Sequence, residues 1–149
     1  MFKPLAALAV ALTLSACAAG APKSPSAADV RTTQANAPAD TPYVGLTAVE
    51  AKARMDIEPM VIVDVRSAEA YQAEHIQGAI NVPWTELTTK LDQLPKDKAL
   101  LLYCTCPSEQ TSGGAAKDLA GLGYTHLYVL VGGMQGWTAI GMPTTKTAS

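Results

Sequence analysis

The sequence has no apolar run of membrane-spanning length. The run from Leu5 to Leu14 falls well short of the roughly 20 residues a spanning helix needs. Charge is scarce as well: Asp, Glu, Lys and Arg together make up 16% of the chain, and the formal net charge is −2. So weak a balance excludes a nucleic-acid-binding surface and a disordered acidic tail. Internal repeats are absent, and 149 residues with a polar stretch near the front leave room for a single domain of about 100 residues. Cysteine is sparse, at three residues, an odd number that cannot pair completely within the chain.

What is present at the front is an export signal. Lys3 precedes the apolar run, and Ser15-Ala16-Cys17 closes it with small residues, the pattern of a secretory signal over residues 1–16. Leu14-Ser15-Ala16-Cys17 resembles the lipobox of bacterial lipoproteins, which implies that Cys17 is acylated and becomes the first mature residue. Lipidation of Cys17 also resolves the thiol count, leaving Cys104 and Cys106 as a pair. Cleavage there removes one cation, Lys3, and leaves an excess of acidic residues, so membrane association falls to the lipid on Cys17. The resulting expectation is a protein of the cell envelope on the periplasmic side. Ala18 lacks the acidic character associated with inner-membrane retention, which favours the outer membrane where one exists.

Residues 17–42 are rich in Ala, Pro, Ser and Thr and bury too little apolar surface to offset the entropy of ordering; they read as a flexible tether. The domain is expected over residues 43–144, with a disordered tail at 145–149. Thr47-Ala48-Val49-Glu50 has the spacing of a capping box and starts a helix. Met60–Val65 is a short β-branched run, apolar on both faces as buried parallel strands are. Ser67 is placed to cap a following helix, and Gly78–Pro83 reads as a strand closed by proline. Ala99–Tyr103 forms a third strand that runs into Cys104. A helix is expected from Gly113 to Leu122, stopped by Gly123, then a strand over Leu127–Val131 and a Gly132-Gly133 loop. Strands alternating with helices at this spacing imply an α/β domain with a mostly parallel sheet.

In such sheets ligands bind beyond the carboxyl ends of the strands, so Cys104 is delivered to the place where chemistry is done. A thiolate or persulfide there is stabilised by loop amides and by the positive end of the helix behind it. A buried thiol acting as a small hydrophobe is the equal alternative on placement alone.

Val63-Asp64-Val65-Arg66, Glu69, Tyr71 and His75–Pro83 resemble the segment preceding the active loop of rhodanese sulfurtransferases. Leu102-Tyr103-Cys104 resembles that family's strand into its catalytic Cys, and Gly132–Trp137 its closing motif. The resemblance, in order from Tyr43 to Pro143, implies a rhodanese-like three-layer fold with a mostly parallel central sheet flanked by helices. It implies sulfur transfer through a cysteine persulfide without metal or organic cofactor, between a small-molecule or protein sulfur donor and a thiol acceptor. Cys104 is the expected nucleophile by strand placement. Counting back from the helix favours Cys106, which otherwise serves as a second carrier or resolving thiol. Thr105, Pro107, Ser108, Glu109, Gln110, Thr111 and Ser112 complete the expected active-site loop, with Asp64 and Arg66 pairing to brace it. His75 reads as a packing residue, and Trp84 and Trp137 as core or rim residues rather than substrate platforms.

The usual rhodanese loop is shorter and often carries a cation. Between Cys104 and Ser112 there is no Lys or Arg, and Glu109 is acidic, which argues against an anionic donor such as thiosulfate. Gln110 or Ser112 stands where phosphatase and arsenate-reductase relatives place an Arg, which disfavours phosphate chemistry. Two readings from other classes remain: a non-catalytic binding or redox module whose Cys104–Cys106 pair forms a strained, labile disulfide, and a soft-cation site for Cu(I) with help from Met134 or Met142.

Overall fold

The computed structural model describes residues 41–105 and 108–147. The lipidation motif at Cys17, the tether and Cys106 with Pro107 lie outside them. The elements run β1 (Val44–Leu46), α1 (Ala48–Met55), β2 (Met60–Asp64), α2 (Ala68–Ala73), β3 (His75–Ile76), β4 (Ile80–Asn81), β5 (Ala99–Tyr103), α3 (Gln110–Gly121), β6 (Leu127–Leu130), α4 (Gly133–Ala139) and β7 (Thr144–Thr145). Two 3₁₀ turns, Trp84–Thr89 and Leu91–Gln93, connect β4 to β5. Among the described residues no helix is long and apolar enough to cross a membrane.

Five strands form a parallel sheet in the order β1-β6-β5-β2-β4. Its central strand β5 is buried at every position. Because successive side chains of a strand point to opposite faces, β5 divides its residues between two cores. Leu100, Leu102 and Cys104 pack with Ala115, Ala116 and Leu119 of α3. Leu101 and Tyr103 pack on the other face with Ala48 and Ala51 of α1 and with Met134 and Trp137 of α4. Each buried leucine contributes about 2 kcal/mol of apolar transfer free energy, so helices on both faces are what make an unbroken Leu-Leu-Leu strand stable.

The capping box forms: Thr47 Oγ1 accepts from the Glu50 amide at 3.3 Å, and Glu50 Oε2 accepts from the Thr47 amide at 2.8 Å. Ser67 caps α2, accepting from the Ala70 amide. Other boundaries differ from the sequence reading. Helix α3 starts at Gln110, one turn before Gly113, because the carbonyl of Glu109 takes the Gly113 amide at 2.7 Å and the Ser112 hydroxyl at 3.3 Å. Gly132 and Gly133 are not a loop but open α4, with Gly132 at φ 77, a left-handed turn that glycine adopts without steric cost. The Gly78–Pro83 strand shortens to Ile80–Asn81. The expected tail from residue 145 is paired: Thr145 sits opposite His75 in the antiparallel β3–β7 ribbon, and the Thr147 amide donates to the Gln72 carbonyl at 3.1 Å.

Candidate active site

Parallel pairing of β2 with β5 sets Asp64 opposite Tyr103 at the carboxyl edge of the sheet. The residues just beyond, Val65-Arg66 and Cys104-Thr105, therefore emerge side by side. Both strands end there because the chain turns to begin the next helix, so the register of two apolar runs assembles the site.

Cys104 continues the alternation of β5 and faces α3. It is 1% exposed, and its Sγ lies 3.5 Å from Ser112 Oγ in the first turn of that helix. Ser112 is fully buried, and its hydroxyl reaches both the Glu109 carbonyl, at 3.3 Å, and the Cys104 sulfur, where either atom can donate. The backbone of Cys104 is fixed from the other side, its carbonyl accepting the Met134 amide at 2.9 Å. Above the thiol opens a cavity of about 290 Å³. Val65, Pro83 and Trp84 form its apolar wall, and Ser67, Thr85, Thr105 and Thr111 supply hydroxyls.

Arg66 is the charged residue of the lining among the described residues, and its charge is matched. Its Nε and Nη2 donate to Asp64 Oδ1 at 2.9 Å and Oδ2 at 2.6 Å, in a two-pronged pair. Asp64 is fully buried, and Oδ2 also accepts the Tyr103 hydroxyl at 2.6 Å. Burial pulls the Arg66 pKa down, but hydrogen bonding and charge from Asp64 more than offset it, so the guanidinium is held above its ordinary value. Burial, then the bond to Asp64, pushes the Tyr103 phenol far up. The remaining donors of Arg66 reach the Glu74 carbonyl at 2.6 Å and Thr105 Oγ1 at 3.3 Å, which ties the pair to the residue after Cys104.

The other expected loop residues differ in placement. Ser108 and Gln110 are exposed. Gln110, Thr111 and Ser112 belong to the first turn of α3 rather than to the loop, which corrects the loop boundary. Glu109 takes a left-handed backbone, φ 50, costly for a residue with a Cβ, and its carboxylate accepts the Gly132 amide at 2.9 Å. Its side chain thus ties the Cys104 loop to the start of α4. Met134 and Met142 pack in the core on the opposite face of the sheet from Cys104, so neither side chain shares a core with that thiol. No cluster of three or more His, Cys, Asp or Glu suited to a metal occurs among the described residues.

His75 is buried, its ring stacked on Tyr71 with centroids 3.7 Å apart and its Nδ1 2.7 Å from the Tyr71 carbonyl. Trp137 is core at 2% exposure, whereas Trp84 is 40% exposed and lines the cavity. The sequence reading missed Val65 and Pro83 as cavity wall and expected Trp84 in the core or at the rim, where it lines the cavity. One signal marked the wall: these residues follow the carboxyl ends of β2 and β4, the edge at which ligands bind.

A thiol carried by the central parallel strand to the base of a small cavity, with a helix opening behind it, defines an α/β domain of the cysteine-on-a-loop class. The family model for the rhodanese-like domain matches residues 47–140. The chain belongs to the rhodanese-like domain family. It is 30% identical over 97 residues to thiosulfate sulfurtransferase GlpE of Coxiella burnetii, covering 65% of this chain and 89% of that one. Against thiosulfate sulfurtransferase PspE of Escherichia coli it is 40% identical over 65 residues, 44% of this chain and 62% of the enzyme. An HTH-type transcriptional regulator of Mycobacterium tuberculosis is 34% identical over 111 residues, 72% of this chain but 47% of the regulator. The chain thus spans about half to two thirds of some curated relatives it matches. Among solved structures, the rhodanese-like domain from Anabaena superposes with a TM-score of 0.61 at 30% identity, covering 70% of this chain and 79% of that one.

Proposed function

We propose that this domain is a sulfurtransferase that carries sulfane sulfur as a persulfide on Cys104. The observation that carries the reading is the position of Cys104, at the carboxyl end of β5, lining the cavity with its sulfur against the Ser112 hydroxyl. The Cys104 thiolate attacks the sulfane sulfur of a donor. The donor's bond to that sulfur breaks with its electron pair on the departing group, and Cys104 is left as a persulfide. A thiolate acceptor then attacks the outer sulfur and restores Cys104. The positive end of the 12-residue helix α3 stabilises both anionic forms. Asp64 and Arg66 are positioning residues that hold Thr105, and Cys106 serves as a second carrier or resolving thiol. Relatives named as thiosulfate sulfurtransferases support the activity class. The signal-like pattern at residues 1–16 and the lipobox-like Leu14–Cys17 support a lipid-anchored domain on a membrane of the cell envelope, facing the periplasm.

The near-complete burial of Cys104 favours one second reading, a rhodanese-like binding or redox module without turnover. Intact mass of the reduced full-length protein after incubation with sulfane donors, followed by peptide mapping, separates the two. One added sulfur atom on the Cys104 peptide, lost in Cys104→Ser, is expected. Unmodified protein with free thiols, whatever the donor, would move the assignment to the non-catalytic module, and sulfur retained on Cys106 alone would move the nucleophile.

A further inference from the structure

We infer that the indole of Trp84 is the binding platform for the carbon body of the sulfur donor, and that the donor is a small organic persulfide with an apolar body. The inference rests on the sulfurtransferase reading above and names its substrate class.

Trp84 is an exposed large apolar residue that the fold nonetheless holds in place. Its amide donates to the Val65 carbonyl at 3.1 Å, and its Nε1–H donates to Asp118 Oδ2 on α3 at 2.7 Å. Its ring lies so close to α3 that a Cβ at position 114 would stand 2.6 Å from two of its atoms, so Gly114 is required in mid-helix. Glycine there costs about 1 kcal/mol of helix propensity relative to alanine. A packing residue held this tightly would ordinarily be buried, yet Trp84 is 40% exposed and borders the cavity that contains Cys104.

Charge points the same way. The Arg66 guanidinium is neutralised by Asp64, and the segment from Cys104 to Ser112 carries no cation. A dianionic inorganic donor finds no unmatched positive side chain among the described lining residues. An apolar ring or alkyl group gains contact with Trp84, Pro83 and Val65, and a cavity of about 290 Å³ suits a small molecule. In the transfer, Cys104 thiolate attacks the terminal sulfur of R–S–SH. The S–S bond of the donor breaks, R–S⁻ leaves with the electron pair, and Cys104–S–SH remains. No external oxidant or reductant is consumed.

The test compares benzyl persulfide, generated in situ, with thiosulfate as donors to the full-length protein, reading kcat and KM for sulfur loading in the wild type, Trp84→Phe and Trp84→Ala. The expected result is a higher kcat/KM for benzyl persulfide. Trp84→Ala should raise its KM about tenfold with kcat little changed, the order of one lost aromatic contact, while Trp84→Phe retains most of the affinity. Loading from thiosulfate should respond weakly to either variant. Thiosulfate preferred by the wild type, a comparison that needs no variant, would overturn the inference while leaving the sulfurtransferase reading intact. So would an equal loss with both donors in Trp84→Ala. Loading from neither donor would overturn both.

Discussion

The hydroxyl of Tyr103 donates to Asp64 Oδ2 at 2.6 Å across a register pair of two parallel strands, and the same oxygen takes Nη2 of Arg66. A buried carboxylate is thereby satisfied by the Tyr103 hydroxyl, the Arg66 backbone amide at 3.0 Å and the Arg66 guanidinium. Arg66 carries the arrangement onward to Thr105, so a core interaction on one face of the sheet sets the loop that follows Cys104 on the other. The Tyr103 hydroxyl also accepts the Ile76 amide at 3.1 Å, which extends the network to the β3–β7 ribbon.

Removing Asp64 should therefore be costly. Asp64→Ala leaves the Arg66 guanidinium without its counter-charge and strips the Tyr103 hydroxyl of its acceptor; a loss of about 3–5 kcal/mol in urea unfolding is expected. Tyr103→Phe removes one donor from a carboxylate that keeps its others, and should cost about 1–3 kcal/mol. Equal losses in the two variants would show that Arg66 is not the dominant partner.

Raised phenol pKa values give the fold an alkaline limit. Tyr103 is pushed up by burial and by Asp64, and Tyr71, Tyr124 and Tyr128 are raised chiefly by burial, from an ordinary value of 10.0. An acid whose folded pKa exceeds its unfolded value contributes stability that is complete below the unfolded pKa and is lost as pH rises toward the folded one. The urea midpoint should fall above about pH 10, and the fall should be shallower in Tyr103→Phe.

Gly114 and Trp84 should be energetically coupled. Gly114→Ala alone drives a methyl group into the indole and should destabilise by about 1–3 kcal/mol despite alanine's better helix propensity. In the Trp84→Ala background the same substitution should be neutral or stabilising. A double-mutant cycle in urea measures the coupling, and additive effects would refute the close approach.

The proposed anchor predicts a change of cell fraction. Cys17→Ala should abolish acylation, and the protein should leave the membrane fraction. Continued sedimentation with membranes would show that another element holds it there.

Much of this fold was legible in local pattern. The capping box at Thr47 and Glu50, the Ser67 cap and the unbroken apolar run of β5 are determined by neighbours in sequence, and all three form. The order of motifs from Asp64 to Trp137 was enough to indicate the rhodanese-like fold. Boundaries that depend on distant partners were not legible. The early start of α3, the opening of α4 at Gly132 and the pairing of Thr145 depend on the Glu109 backbone turn, its carboxylate bond to Gly132 and a strand about 70 residues away.

The sequence by itself determined which residues are buried in strands, where a thiol leaves the central one, and that the following segment carries no cation. These follow from period, propensity and composition, which are properties of neighbouring residues. Only the tertiary structure decided that Asp64 and Arg66 reach Thr105, that Ser112 meets the Cys104 sulfur, and that Trp84 walls the cavity against Gly114. Such contacts depend on strand register and on how a helix packs over the sheet, and these are set by the sum of the buried core rather than by any local motif.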